Sequence, residues 1–237
     1  MSMLFEELDY QPTAIGDLSL RRRRELSLGI DVFEIKLGDA FLMSSLFTQS
    51  EIALARLGIA ALTGDKLDIL VGGLGLGYTA QAVLEHEQVG SLVVIEMLDA
   101  VINWHRSGLL PLGPVLMDDP RCQIIAGDFF ALAKSEKGFD PAMPGRLFDA
   151  ILVDIDHAPD DLLDARSTNF YQADGLRAVA SHLKPGGVFG LWSNDLPDDA
   201  FTARLNTVFS KAWAEPVTFH NPLQDKPFTQ TVYLAES

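Results

Sequence analysis

The chain has 237 residues, 48% of them hydrophobic and 22% charged, enough apolar matter for one full core and too much for global disorder. Its formal net charge of −15 repels phosphate backbones, which argues against a nucleic-acid partner and favours a cationic or neutral small molecule. The one cysteine, Cys122, rules out an internal disulfide and a cysteine zinc cluster, and the five histidines show no metal-ligand spacing, so no metal is expected.

No apolar run reaches the ~20 residues of a membrane span, and the acidic start, Met1 to Tyr10, carries no leader pattern. A soluble cytoplasmic protein without a membrane partner is expected. Residues 1–27 are mixed and polar and read as a solvated segment. The basic run Arg21-Arg22-Arg23-Arg24 either pairs with the chain's own acidic surface or forms a partner patch, and the first reading is preferred.

Residues 30–47 alternate in part and are interrupted by Gly38-Asp39, which predicts a β-hairpin. The apolar spacing of residues 49–62, followed by Gly64, predicts a helix capped by glycine. From Asp68 strand and helix signals alternate. Strands are predicted at Leu67–Gly73, Leu92–Glu96, Cys122–Ala126, Phe148–Asp154 and Val188–Trp192. Helices are predicted at Thr79–Glu87, Ala100–Arg106, Tyr171–Leu183, with Asn169 near its cap, and Ala200–Trp213. Val217–His220 and Thr229–Leu234 read as a closing strand pair, with one antiparallel strand at the edge. The fold class is α/β: a doubly wound, mostly parallel seven-stranded sheet with helices on both faces. The predicted division is 1–64, a hairpin and helix appendage, and 65–237, a nucleoside-binding domain.

The strongest local signal is Leu70-Val71-Gly72-Gly73-Leu74-Gly75-Leu76-Gly77. Gly73, Gly75 and Gly77 lie between a buried strand and a helix, where a backbone turns sharply and approaches a ligand. Alone, such a loop also suits a dinucleotide site or a turn without ligand. Glu96 follows Gly77 by 19 residues at the next strand end, where a carboxylate accepts hydrogen bonds from ribose hydroxyls. Asp99 is a helix-cap candidate. Asp128 ends the third strand and is placed to receive an adenine amino group. Asp154 and Asp156, after the fourth strand, are the candidates for orienting or deprotonating an amine. His157 is more often a solvated residue than a base. Asp160, Asp161 and Asp164 read either as a solvated loop or as an amine-attracting lid. Trp104, Trp192, Phe170 and Tyr171 read as core before pocket wall.

In this order the glycine loop, Ile95-Glu96, Asp118-Asp119-Pro120-Arg121, Gly127-Asp128, Val153-Asp154, Phe170-Tyr171 and Leu183-Lys184-Pro185-Gly186-Gly187 resemble the spermidine synthases, the polyamine aminopropyltransferases. The resemblance covers residues 67–195 and is most specific at Asp118–Arg121. It implies a methyltransferase-like (Rossmann-like) sheet that binds decarboxylated S-adenosylmethionine and moves its aminopropyl group to putrescine. It also implies that Glu96 holds ribose, Asp128 adenine, and Asp154 the attacking amine, and it is compatible with a homodimer. Three stretches depart from the family. Leu76 stands where the family has an acid, Asp154-Ile155-Asp156-His157-Ala158-Pro159 lacks its Gly-Pro step, and Glu51-Ile52-Ala53-Leu54-Ala55 replaces its Tyr-His-Glu cluster.

The nucleoside half of the site thus reads as intact and the polyamine half as rewritten. The first expectation is methyl transfer from S-adenosylmethionine to a small molecule, in which positioning alone supplies roughly 7–11 kcal/mol in favourable cases. Aminopropyl transfer from the decarboxylated form is the alternative. A non-catalytic nucleoside-binding module is the third reading.

Overall fold

The computed structural model describes residues 4–237; Met1, Ser2 and Met3, and with them part of the expectation about the acidic start, lie outside it. Strands β1 (Phe5–Thr13), β2 (Gly16–Glu25), β3 (Ile30–Leu37) and β4 (Ala40–Ser44) form an antiparallel sheet in that order. The predicted hairpin is β3–β4. Within the solvated segment predicted for residues 1–27, β1 and β2 form a second hairpin. Its four arginines lie on β2, where Arg22 reaches Glu6 over 2.6 Å, Arg23 reaches Glu34 and Glu25 over 2.7 Å, and Arg24 reaches Asp31 over 3.1 Å. Arg22, Arg23 and Arg24 are therefore satisfied by acids of their own and neighbouring strands, while Arg21 lies 3.7 Å from Glu7 with its buried Nε unbonded among the described residues. Leu18 and Leu20 at the start of β2 are fully buried and anchor the sheet.

Helix α1 (Gln49–Ala60) follows. It ends two residues earlier than predicted; its C-cap is Ala61, and Gly64 lies beyond it with a left-handed φ of 111°. Next come β5 (Leu67–Gly72), α2 (Tyr78–Leu84), β6 (Val89–Glu96), α3 (Asp99–Arg106), α4 (Gly113–Asp118), β7 (Cys122–Ala126) and α5 (Phe129–Ala133). The rest is β8 (Phe148–Val153), a 3-10 turn (Ala165–Tyr171), α6 (Ala173–Ala180), β9 (Leu183–Ser193), α7 (Asp199–Leu205), β10 (Lys211–Asn221) and β11 (Lys226–Glu236). The short helices α4 and α5 were not predicted.

The seven-stranded sheet runs β10-β11-β9-β8-β5-β6-β7. Its five central and right-hand strands are parallel, and β11 is antiparallel to both neighbours. The reversed strand is thus inserted one position inside the edge, which β10 occupies. Side chains alternate between two cores, as the strand period of two requires. Ile69, Val71, Leu92, Val94, Ala150 and Leu152 join one cluster with α1, α2 and α3, while Leu70, Val93, Ile95, Ile151 and Val153 join the other with α5, α6 and α7.

Helix α1 packs on this sheet. Leu54 lies against Gly190, and a Cβ at Gly58 would run into Leu152. A division at residue 64 would therefore cut α1 from the surface it covers, and Leu18, Leu20 and Ile35 of the small sheet share one buried cluster with Leu54 and Ile59. Among the described residues no helix is long and apolar enough to cross a membrane, and no group of three or more His, Cys, Asp or Glu is arranged to hold a metal ion.

Candidate active site

The chain leaves β5 towards β6 and β7 on one side and reaches β8 and β9 on the other, so the carboxyl ends of β5 and β8 flank the point where the winding reverses. Ligands of open α/β sheets bind in the crevice at such points. A cavity of about 350 Å³ lies there. Gly73, Gly75, Glu96, Asp128 and Asp154 line it together, so five of the residues singled out in the sequence meet at one surface. Gly77 opens instead into a smaller pocket of about 10 Å³ beside it.

The glycine loop takes its shape from three positive φ angles, at Gly73, Gly75 and Gly77. Gly73 (φ 93°) lies so close to the carbonyl oxygen of Asp154 that a Cβ would collide with it, and Gly75 (φ 47°) lies against the Met43 side chain in the same way. Glu96 holds the loop from the other side. Its carboxylate accepts the Leu74 N–H over 3.0 Å and the Leu98 N–H over 2.8 Å. Burial pushes its carboxyl above the usual range, and these backbone donors oppose the shift. Asp128 is the N-cap of α5, accepting from the N–H groups of Phe130 (2.9 Å) and Ala131 (3.2 Å) through one oxygen. His105, buried beneath the loop, bonds the Gly75 carbonyl oxygen through Nε2 over 2.8 Å.

Asp154 directly follows β8 and lines the cavity. Its Oδ2 accepts the Thr79 hydroxyl over 2.6 Å, and burial pushes its carboxyl up to about 6, with the Thr79 bond pulling the other way. Asp156 is placed differently. It is buried away from the cavity and accepts from the Tyr171 hydroxyl (2.7 Å), the Leu163 N–H (2.8 Å) and the Ser167 hydroxyl (3.3 Å). Leu163 and Ser167 line the cavity, so Asp156 fixes its wall and does not face its contents.

His157 bonds the Phe41 carbonyl oxygen through Nε2 over 3.0 Å, tying the loop after β8 to strand β4. Asp164 caps the 3-10 turn and pairs with Arg166. Asn169, Phe170 and Tyr171 end that turn; the helix they were expected to open starts after Gln172, whose extended backbone (ψ 164°) separates the two. Asp99 is the first residue of α3, and Leu98 is its N-cap. Trp104, Phe170 and Tyr171 are buried core, and Trp192 is half-buried and donates to Ser50 over 2.8 Å; none lines the cavity.

Three contributors went unrecognised in the sequence. Ile35, Leu42 and Met43 of the small sheet, with Ile15 in its β1–β2 turn, wall the cavity. Thr79, one residue into α2, is the donor to Asp154. Glu51, in the first turn of α1, shares the smaller pocket with Asp154. A lone acid in an apolar helical stretch was the available signal for Glu51.

The fold and the crevice together define a doubly wound α/β sheet with a candidate ligand crevice at the β5/β8 reversal. Over residues 50–197 the chain matches the Spermine/spermidine synthase domain, and it belongs to that family. It is 30% identical to polyamine aminopropyltransferase 2 of Pseudomonas aeruginosa over 61% of its length, and 29% identical to the polyamine aminopropyltransferase of Aeropyrum pernix over 54%. Putrescine N-methyltransferase 2 of Nicotiana attenuata is 27% identical over 57% of the chain. The matches span only 40%, 38% and 33% of those proteins' own lengths. In fold the chain is similar to a spermidine synthase solved with the transition-state analogue AdoDATO. There the TM-score is 0.75 at 18% identity, covering 97% of this chain and 73% of that one. The spermidine synthase of Thermotoga maritima gives a TM-score of 0.73.

Proposed function

We propose that the chain transfers the aminopropyl group of decarboxylated S-adenosylmethionine to a small amine. Asp154 carries this reading. It is a carboxylate just past the end of β8, held by the Thr79 hydroxyl with no cationic partner among the described residues, and burial at the cavity raises it to where it takes a proton near neutral pH. Relatives named as aminopropyltransferases support it, and they move the balance away from the methyl transfer that the sequence placed first.

In this reading Glu96 takes the ribose hydroxyls with the acceptor capacity its two backbone bonds leave, and the free oxygen of Asp128 takes the adenine amino group. The amine nitrogen forms a bond to the aminopropyl carbon next to the sulfonium. The carbon–sulfur bond breaks and its electron pair stays on sulfur, giving neutral methylthioadenosine, while the amine's proton passes to Asp154. The apolar wall of the small sheet excludes water from the sulfonium. No metal enters this scheme.

Methyl transfer is the second reading, kept by the similarity to the putrescine N-methyltransferases. Product analysis separates the two. Incubation with an amine panel and either sulfonium donor is expected to release methylthioadenosine from the decarboxylated donor. Release of S-adenosylhomocysteine instead would transfer the assignment to methylation. Binding of both nucleosides without either product would leave a nucleoside-binding module.

A further inference from the structure

His105 lies on α3, lines neither pocket and is 1% exposed. Its Nε2 is 2.8 Å from the Gly75 carbonyl oxygen; a carbonyl only accepts, so Nε2 carries the proton. Nδ1 is buried and has no hydrogen-bond partner among the described residues. It stays bare, because a second proton would put a charge in the core with nothing to accept its N–H. Burial lowers the His105 pKa in the same sense, against the pull of the Gly75 bond. The ring edge also fills the space that Gly77 leaves: a Cβ there would lie 3.0 Å from His105 Cε1.

The Gly75 carbonyl belongs to the Gly75–Leu76 peptide. The other end of that peptide, the Leu76 N–H, donates to Met43 Sδ over 2.9 Å. One peptide plane is thus held from α3 at its oxygen and from β4 at its hydrogen. A thioether is a weak acceptor, so the imidazole supplies the stronger hold. Gly75 lines the large cavity and Leu76 the small pocket. With no side chain at position 75 (φ 47°), this peptide turns over more easily than its neighbours would. Turning over exchanges its two ends and sets the carbonyl oxygen against Met43 Sδ, at the cavity wall.

We propose that His105 is a positioning residue for the nucleoside: as the Nε2–H tautomer it locks the Gly75–Leu76 peptide in the orientation that shapes the crevice for its ligand. It touches no ligand and acts through Gly75. This role rests on the nucleoside reading above.

Calorimetry with methylthioadenosine on the full chain tests it. Glutamine carries an amide N–H close to where His105 Nε2 stands, whereas leucine fills a similar volume and has no donor. His105→Leu is expected to weaken binding by about tenfold or more, and His105→Gln to stay within about threefold of the wild type. Both substitutions disturb the packing of α3, so a merely structural role would weaken both alike. A glutamine variant that binds no better than the leucine variant, or a leucine variant that binds like the wild type, overturns the proposal. If His105→Leu does not fold, His105→Asn takes its place, because its shorter amide falls at the Nδ1 position and does not reach Gly75.

Long-range proton–nitrogen NMR of the wild-type imidazole needs no variant. A protonated Nε2 and a bare Nδ1 are expected with and without methylthioadenosine, and a protonated Nδ1 overturns the hold on Gly75. A wild type that does not bind methylthioadenosine overturns the nucleoside reading, and this role with it, while the nitrogen spectrum still reports whether the hold exists.

Discussion

Thr79 donates its hydroxyl proton to Asp154 Oδ2 over 2.6 Å, joining the first turn of α2 to the end of β8. The bond favours the charged carboxylate and so opposes the burial that pushes the Asp154 carboxyl up. Thr79→Val keeps the shape and removes the donor. The Asp154 carboxyl then rises further, and the acid limb of the pH–kcat/KM profile is expected to move to higher pH. An unmoved limb would detach Asp154 from the proton transfer.

Stability should also report the carboxylate pair. Burial pushes Glu51 up to about 8, with the Asp154 charge second, and Asp154 up to about 6. Both groups hold protons in the fold that they lose in the unfolded chain. Their contribution is therefore full below about pH 4, where unfolded carboxyls titrate, and falls as pH rises towards 8. Glu51→Gln is expected to be more stable than the wild type at pH 8, with the difference shrinking towards pH 5. Thermal denaturation across that range measures it, and a difference that does not change with pH contradicts the burial of Glu51.

Asp156 holds Tyr171, Ser167 and Leu163 without facing the cavity. Asp156→Ala leaves buried donors unpaired, at about 1–3 kcal/mol for a group so exposed to loss. Because Leu163 and Ser167 line the cavity, KM for the nucleoside is expected to rise more than kcat falls. A drop in kcat alone, with the fold and KM intact, would restore Asp156 to the reacting groups.

Trp104 donates its indole N–H to Asp9 over 2.6 Å and so ties α3 to β1. Trp104→Phe keeps most of the ring packing and loses the bond. Destabilisation of about 1.5 kcal/mol is expected, at the low end for a hydrogen bond to a charged group. Chemical denaturation followed by far-ultraviolet circular dichroism reads it; no change would mean the contact is absent in solution.

The parallel strands β5, β6 and β8 were legible because each carries a short apolar run whose residues serve both faces, Ile69 on one and Leu70 on the other. The winding followed from their alternation with helices, and with it the gathering of Gly73, Glu96, Asp128 and Asp154 at one sheet edge. Helix ends were less legible. The last helix was read through to Trp213, but Asn206 stops it, its side chain bonding Thr202 O, Ala212 O and Ala212 N, and Trp213 lies on β10. The first hairpin was hidden by Arg21–Arg24, whose polarity masks a strand until the acids opposite are known. Glu51 meets Asp154 only through the packing of α1 on the sheet, a relationship that no local pattern encodes.

Met43, Leu42 and Ile35, with Ile15 in the β1–β2 turn, wall the cavity from a sheet formed before the βα units begin in sequence. The crevice is therefore closed on that side only when the small sheet has docked, and a ligand held there binds the docked state in preference to any opened one. Occupancy then acts as a latch: amide hydrogens of β3 and β4 should exchange with solvent more slowly as the nucleoside saturates, although none of them needs to touch it.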